Sequence, residues 1–262
     1  GLYMEGGAGV LNVPVYLRGL YGSLTERCLE HDVELRHERV DDSSPFHFQR
    51  MMNRVGEDYD AVIFTAGAAM FDANDASIPA ALRHLPISRV GGRAAILSLP
   101  TSSCPQGVIA GKYVSPLPKK GGRNRVHVGA TFEHGGGNDN PSPFDTDHSD
   151  DHVVKFLSQQ TNWFFSDIWN ISNFESMIVG VRAQSQRTHL GRLPLVGKIG
   201  DGTYVMTGLG GRGLIHHGVY GDILGQAVVT DLAGLSGSAE RMEERDKHVH
   251  WWREKWEESM SK

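Results

Sequence analysis

The sequence predicts an α/β fold (α+β in its layout) into which an antiparallel sheet is inserted, and three stretches support this. Tyr59–Ala69 is a nearly continuous apolar run that ends in Ala-Gly-Ala, as in a strand buried on both faces of a parallel sheet. Residues 90–132 contain three strand-like segments separated by glycine- and lysine-rich turns, which is typical of antiparallel hairpins. Further on, a strand at Thr203–Met206 leads into a glycine-rich turn, Gly208–Gly213, and then a helix-period segment, Leu214–Leu232.

The N-terminal part of the chain carries helix and strand signals in turn. Pro14 suits the first turn of a helix, and Val15–Leu29 has apolar residues at helical spacing. Val33–Val40 alternates in polarity and predicts a strand, and Phe46–Val55 predicts a short helix.

The inserted sheet is predicted to contain Val90–Leu99, Gly111–Pro116 and Arg125–Phe132. A turn at Lys119–Gly122 separates the second strand from the third, because two adjacent glycines permit a tight hairpin.

The polar residues 134–152 include several histidines and acids, but none of their spacings matches a known metal site. The serine and aspartates before the next apolar run instead predict a helix N-cap, with the helix at Asp151–Gln160. We therefore predict no metal site here. The aromatic cluster Phe164, Phe165 and Trp169 is interpreted as core packing.

The stretch between residues 177 and 225 is predicted to organise the molecule. Met177–Val181 is a short apolar strand that carries Arg182 to its end, and Leu193–Gly197 is a proline-containing turn. Gly208–Gly213, GLGGRG, fits the dinucleotide pattern G-x-G-x-x-G. However, the acidic residue about twenty positions on is Asp231, at the tail of the helix, and no second strand follows. We therefore reject the dinucleotide fingerprint and expect the glycines to serve another ligand.

Two segments resemble the C-terminal part of FAD-dependent oxidases of the D-amino-acid/glycine oxidase (DAO) superfamily. They are VGVRAQSQRTHLGRLPLVG at residues 179–197 and YVMTGLGGRGLIHHGVYGDILG at residues 204–225. Within this superfamily, the two segments resemble in particular the oxidase domain of the bifunctional enzyme that completes methylaminomethyl-uridine in tRNA. The resemblance implies that Arg182 binds the substrate carboxylate and that the glycine-rich turn wraps the flavin. It implies cofactor contacts by Ala66, Gly67 and Ala68 and by Gly208, Gly210, Gly211, Arg212, Gly213 and Leu214.

The resemblance also implies a domain layout. An FAD-binding-like domain, residues 1–85 and 171–235, is interrupted by a substrate-type antiparallel domain, residues 86–170, and is followed by a helical tail, residues 236–262. In the family, the first Rossmann unit precedes a segment like Gly1–Tyr21, and this sequence does not contain that unit. We expect either a fragment of a longer chain or a protein that has lost the main dinucleotide site.

Glu240–Lys262 is a charged segment in which Met242, Val249, Trp252 and Trp256 fall at helical spacing. Two interpretations remain open for this amphipathic helix. It is either a tail that lies on the body of the protein or a docking helix for a protein partner.

Composition limits the classes of partner. A formal net charge of −5 argues against a general nucleic-acid-binding surface, so a tRNA partner rests on family analogy alone. Cys28 and Cys104 match no metal or redox spacing, which favours a reducing compartment, the cytoplasm or an organelle interior. No apolar stretch reaches the roughly twenty residues that span a bilayer, so we expect a soluble protein without membrane association.

Two functions follow from these expectations. The first is an FAD-dependent oxidoreductase that oxidises the C–N bond of an amino acid or a secondary amine. The second is a non-catalytic subunit derived from such an oxidase, which has lost the flavin and acts through protein–protein interaction.

Overall fold

The structure is a computed structural model of the 262-residue chain, and it describes residues 11–37, 58–71, 78–103, 106–134, 149–189, 191–234 and 251–260. No helix within these ranges is both long and apolar enough to cross a membrane. The chain divides into two compact units. The first comprises residues 1–40, 92–132 and 147–179, and the second comprises residues 41–91, 133–146 and 180–262. The domain boundaries inferred from the sequence stay predictions.

The first unit contains two helices and most of an antiparallel sheet. Helix α1 spans Val13–Glu30, with Asn12 as its N-cap and a proline in its first turn. The strands in chain order are β2 (Ile87–Leu99), β3 (Val108–Ala110), β4 (Lys112–Lys120), β5 (Arg123–Gly129), β6 (Glu133–His134) and β7 (Asn173–Ser185). They form a sheet in the order β3-β4-β5-β2-β6, with β7 also paired to β2. Residues of β2 and β7 are divided between the two units.

The hairpin between β4 and β5 follows from its two glycines. Gly121 and Gly122 both have positive φ, +56° and +75°, and they connect the paired residues Lys120 and Arg123. Two consecutive residues with positive φ form the tight turn whose twist matches that of the flanking strands. The predicted antiparallel strands are therefore confirmed, although β5 ends at Gly129 rather than at Phe132, and the predicted turn is confined to Gly121 and Gly122 because Lys119 and Lys120 belong to β4.

Helix α3 covers one face of this sheet. It spans Asp150–Ile171, and the Ser149 side chain accepts a hydrogen bond from the His152 backbone N–H. Phe165 has a non-helical backbone within it, is buried, and packs edge-to-face on Trp169 with ring centroids 6.3 Å apart. The predicted N-cap and the aromatic packing are confirmed, but the helix extends well beyond Gln160. The core it forms with the sheet contains Ala95, Leu97, Leu99, Val114, Val126, Val128, Val153 and Leu157.

The second unit is built on a three-stranded sheet with the order β1-β9-β8. Strand β1 (Val62–Phe64) is parallel to β9 (Thr203–Thr207), and β8 (Leu195–Gly200) is antiparallel to β9. Helix α4, Gly213–Leu232, follows β9 and packs on one face of the sheet through Tyr220, Leu224 and Val228. A short helix α2, Ala80–Arg83, precedes β2.

The opposite face of this sheet is covered partly by the C-terminal segment, in which helix α5 spans Arg253–Met260. Trp252 is fully buried in a core with Val62, Phe64, Leu195 and Val205. The described tryptophans of this segment thus lie on the body of their own unit, as the first of the two interpretations of the tail expected.

Several boundary predictions were wrong. Residues 33–37, the described part of the predicted strand Val33–Val40, form no strand, and 38–40 lie outside the description. Strand β1 is shorter than Tyr59–Ala69, and Ile63 in its centre is 42% exposed, so it is not buried on both faces. Leu193–Gly197 is not only a turn, because β8 begins at Leu195. The helix predicted at Phe46–Val55 lies outside the described residues. The α/β class with an antiparallel sheet is confirmed.

Candidate functional site

Two glycine turns lie at the same edge of the second unit's sheet. Phe64 of β1 pairs in parallel register with Val205 of β9, and Gly67 and Gly208 each follow these residues by three positions. Both glycines have positive φ, +64° and +72°, and each leads into a short 3-10 helix. Because parallel neighbours end at a common edge, the predicted cofactor segments Ala66–Ala68 and Gly208–Leu214 are brought to one side of the sheet, where ligands bind in α/β folds.

Gly208 is required by the packing beneath the turn as well as by its backbone. A Cβ at this position would stand 2.9 Å from Cδ1 of Ile87 and 3.2 Å from Cβ of Ser185. Gly67, in contrast, has open space where a Cβ would be, so only its positive φ favours glycine there.

Arg182 lies beside the second turn. A guanidinium nitrogen, Nη1, is 3.8 Å from the position that a Cβ on Gly211 would take. The strand continues past the arginine to Ser185, so the prediction that Arg182 ends its strand is wrong. Gln184 on the same strand forms an isolated antiparallel bridge with Leu209, which fixes the strand against the turn.

Side chains on this stretch of β7 alternate between two surroundings. Ala183 and Ser185 are buried, whereas Arg182 and Gln184 are partly exposed and face the glycine turn. Sequence reasoning missed Gln184 because it ended the strand at Val181. Extending the strand period from Arg182 to Gln184 would have placed both side chains on one face.

Three buried polar atoms around the turn have no hydrogen-bond partner among the described residues: Gln184 Oε1, Ser185 Oγ and Thr207 Oγ1. Ser185 and Thr207 are almost inaccessible to solvent. Buried polar groups are normally satisfied, and each unsatisfied one calls for a water, a ligand or strain. Three buried side-chain oxygens around the turn are thus available for hydrogen bonds to a ligand or to water.

Helix α4 starts directly after the turn, and its first turn has exposed apolar side chains beside its backbone N-terminus. Leu214 and Ile215 in its first turn are 45% and 75% exposed. No side chain within the described structure caps its N-terminus, and its first turn has no acidic residue. The helix start therefore combines an N-terminus that has no side-chain cap within the described structure with an exposed apolar surface.

Near the turn, Arg192, His216 and His217 each contact other residues of the protein. Arg192 donates from Nη1 to the Ser185 carbonyl at 2.6 Å, and Arg187 is exposed. His216 packs edge-to-face on Tyr220 with centroids 5.6 Å apart, and His217 Nδ1 lies 3.0 Å from the Leu214 carbonyl oxygen.

Asp231, the acidic residue that failed the dinucleotide pattern, anchors the far end of helix α4. It accepts hydrogen bonds from Lys198 Nζ at 2.8 Å and from the Tyr204 hydroxyl. These donors lower the pKa of Asp231, and its carboxylate raises the pKa of Lys198. Burial, with the neighbouring carboxylate, raises the pKa of Tyr204. The cluster fixes the helix to both strands of the β8–β9 hairpin.

Within the described ranges, no group of three or more histidine, cysteine, aspartate or glutamate side chains is arranged to hold a metal ion. Cys104 lies outside those ranges, and Cys28 is a free, partly buried thiol.

Residues 1–227 match the family of DAO-type FAD-dependent oxidoreductases. The chain belongs to this family, as the resemblance in the sequence implied.

Solved structures give further comparisons. Iminodiacetate oxidase from Chelativorans sp. BNC1 is 25% identical, with a TM-score of 0.47 over 65% of this chain and 42% of that protein. Glycine oxidase from Geobacillus kaustophilus is 22% identical, with a TM-score of 0.45 over 64% of this chain and 41% of that protein. Glycine oxidase from Bacillus cereus ATCC 14579 is 17% identical, with a TM-score of 0.45 over 64% of this chain and 42% of that protein. The chain thus spans about two fifths of these proteins. No match was found among curated proteins.

The residues around the turn fit the ring end of a flavin. A flat ring system needs small residues for close approach, an apolar surface and donors for its carbonyl edge. Gly210 and Gly211 supply the first, Leu214 and Ile215 the second, and the start of helix α4 the third.

Proposed function

We propose that this chain forms part of an FAD-dependent oxidoreductase that oxidises the C–N bond of a carboxylate-bearing amine, an amino acid or a secondary amine acid. Membership of the FAD-dependent oxidoreductase family supports the cofactor. One observation supports the substrate class, namely the guanidinium of Arg182 beside Gly211 of the glycine turn. A cation placed next to the proposed ring site favours a substrate that carries a negative charge.

Arg182 has the chemistry for a carboxylate. Its planar guanidinium can donate two parallel hydrogen bonds to the two oxygens of such a group. Because Gln184 and Leu209 tie its strand to the turn, the position of the arginine is fixed relative to the proposed flavin site. The arginine thereby sets where the α-carbon of the substrate stands.

The glycine turn and the start of helix α4 would hold the ring. Ala66, Gly67 and Ala68 at the neighbouring strand end would contact it from the other turn. FAD, when bound, supplies the hydride acceptor. The chain's own contribution is alignment and a cluster of N–H donors that favour negative charge on the ring. The amine needs only to arrive in its neutral form, so the reaction requires no acid–base residue of the protein.

An absorbance spectrum and a flavin titration test the cofactor. The intact protein, purified from its natural source, should show a flavin band near about 450 nm. After removal of the flavin, it should rebind FAD in a fluorescence-quenching titration. A protein that neither carries nor binds flavin contradicts the proposal and leaves the non-catalytic subunit as the better account.

The substrate assignment is tested by Arg182→Ala, with Arg187→Ala as the matched control because Arg187 is exposed on the same segment. The Arg182 variant should keep its flavin and lose turnover of N-methylglycine by at least about a hundredfold, the loss of a charge-assisted bidentate contact. Arg187→Ala should behave like the wild type. Equal turnover in both variants removes the carboxylate assignment and leaves the flavin site standing.

A further inference from the structure

We propose that Gln184 is a second binding residue for the substrate carboxylate, beside Arg182, and this inference rests on the proposed function. The two side chains are two residues apart on β7 and face the same turn. Gln184 Nε2 is 4.0 Å, and its Cγ 3.9 Å, from the position of a Cβ on Gly210. Arg182 Nη1 is 3.8 Å from the position of a Cβ on Gly211. The two nitrogen donors therefore stand over successive glycines of one turn.

The backbone holds Gln184 at this place. Its antiparallel bridge to Leu209 joins it to the residue just before Gly210. The buried Ala183 and Ser185 on either side of it fix the direction of the strand. The carboxamide thus has little freedom to leave the turn, and a ligand bound at Arg182 meets it without a rearrangement of the backbone.

The described part of the protein also leaves the carboxamide oxygen of Gln184 without a hydrogen bond. Gln184 Oε1 is buried and has no hydrogen-bond partner among the described residues. A buried oxygen without a hydrogen bond lowers the stability of the fold unless a bound ligand donates a hydrogen bond to it. The amide can turn about its last bond and exchange oxygen for nitrogen, so it can meet either a donor or an acceptor.

An amino acid offers both kinds of partner. Its carboxylate accepts from the Gln184 NH₂ group, and its amine N–H donates to the oxygen. A neutral carboxamide next to a guanidinium therefore adds affinity without adding charge, and it favours ligands in which amine and carboxylate are close together. Gln184 would therefore favour amino acids over simple amines as substrates.

Ligand binding tests this assignment without reference to turnover. Acetate, N-methylglycine and dimethylamine are titrated by ligand-observed NMR into the intact, flavin-containing protein. Gln184→Leu should weaken acetate about tenfold, the worth of one hydrogen bond, and should weaken N-methylglycine by more, because N-methylglycine contacts both ends of the carboxamide. The matched control is Gln160→Leu, an exposed glutamine on helix α3, and it should bind as the wild type does.

Gln184→Glu keeps the size of the side chain and so serves even where the leucine variant fails to fold. Its charge should abolish acetate binding and strengthen dimethylamine binding if the side chain lies at the ligand site. If Arg182→Ala loses acetate while Gln184→Leu and Gln184→Glu bind it as the wild type does, the inference is overturned and the proposed function stands. If the wild-type protein binds neither acetate nor N-methylglycine, both the inference and the substrate class proposed above are wrong.

Discussion

Gly208 meets two separate requirements at the residue scale, a left-handed backbone with φ of +72° and a filled space on the side where a Cβ would stand. Gly208→Ala should therefore lower the free energy of unfolding by roughly 3 kcal/mol, the combined cost of strain and overpacking. Gly211→Ala is the control, since its φ is not positive and the nearest atom, Arg182 Nη1, is 3.8 Å away. It should change stability by less than about 0.5 kcal/mol in urea unfolding. Equal losses in both variants contradict this account.

Lys112 is a second residue with a specific environment, in the first unit. Its Nζ donates to the Ala130 carbonyl at 2.6 Å and lies 5.2 and 5.3 Å from the ring centroids of Phe132 and Phe156. Lys112→Met keeps the aliphatic stem but loses the charge and the donor. We expect a loss of about 1–2 kcal/mol in unfolding free energy. Lys120→Met, at the exposed end of β4, should have no measurable effect, and a similar loss there speaks against the role given to Lys112.

The sequence could reveal the site residues only where their chemistry is local. The glycines and Arg182 stand out because positive φ and a lone cation after an apolar run are properties of a few neighbouring residues. Gln184 does not stand out, since its role depends on the bridge to Leu209, which is distant in sequence. The side chains of Ile87 and Ser185 occupy the space that a Cβ on Gly208 would need. These contacts join residues that are distant in sequence, so no sequence pattern predicts them.

At the scale of elements, helix α4 is fixed at its far end by the cluster of Asp231, Lys198 and Tyr204. The folded-state pKa of Asp231 lies below its unfolded value, so its contribution to stability is complete above the unfolded pKa of about 4 and is lost as the pH falls through the folded pKa. Because the carboxylate is about a third exposed, solvent screening limits its contribution.

Asp231→Asn should therefore cost about 1 kcal/mol at neutral pH, and the difference from the wild type should shrink as the pH falls below about 4 and through the folded pKa of Asp231. Urea unfolding across this pH range measures it, with Asp167→Asn on the exposed side of α3 as the control. A difference that stays constant with pH means that Asp231 acts through packing rather than through its charge.

Elements with strong local signals were predicted well, and the reason is physical. The helix after the glycine turn and the hairpin with adjacent glycines depend on periodicity and on turn residues, which lie close together in the chain. Strand β1 was overestimated because an apolar run signals burial without stating its length. Its end is set by pairing with β9, where only Val62–Phe64 find partners.

At the scale of the whole molecule, the sequence indicated the family through two segments, and the family match over residues 1–227 agrees with it. The C-terminal tryptophans lie beyond that match. Their helical spacing predicted an apolar face, but periodicity alone left both a tail and a docking helix open. The choice depended on long-range contacts. Trp251 Nε1 donates to the Pro194 carbonyl at 3.2 Å, and Trp256 Nε1 donates to the Ala81 carbonyl at 2.8 Å.

Trp252 is the centre of this contact, since it is fully buried in the core beneath β1, β8 and β9. Trp252→Ala should lower the unfolding free energy of the second unit by about 3–5 kcal/mol, the usual cost of a large cavity. Hydrogen exchange should show faster exchange in β1, β8 and β9, while the amides of β4 and β5 in the first unit keep their protection. The matched control is Trp163→Ala, because Trp163 is 73% exposed and its removal should cost less than about 1 kcal/mol. If Trp252→Ala leaves exchange in β1, β8 and β9 unchanged, the C-terminal segment does not stabilise this sheet, and its tryptophans are then better explained as a surface for a partner.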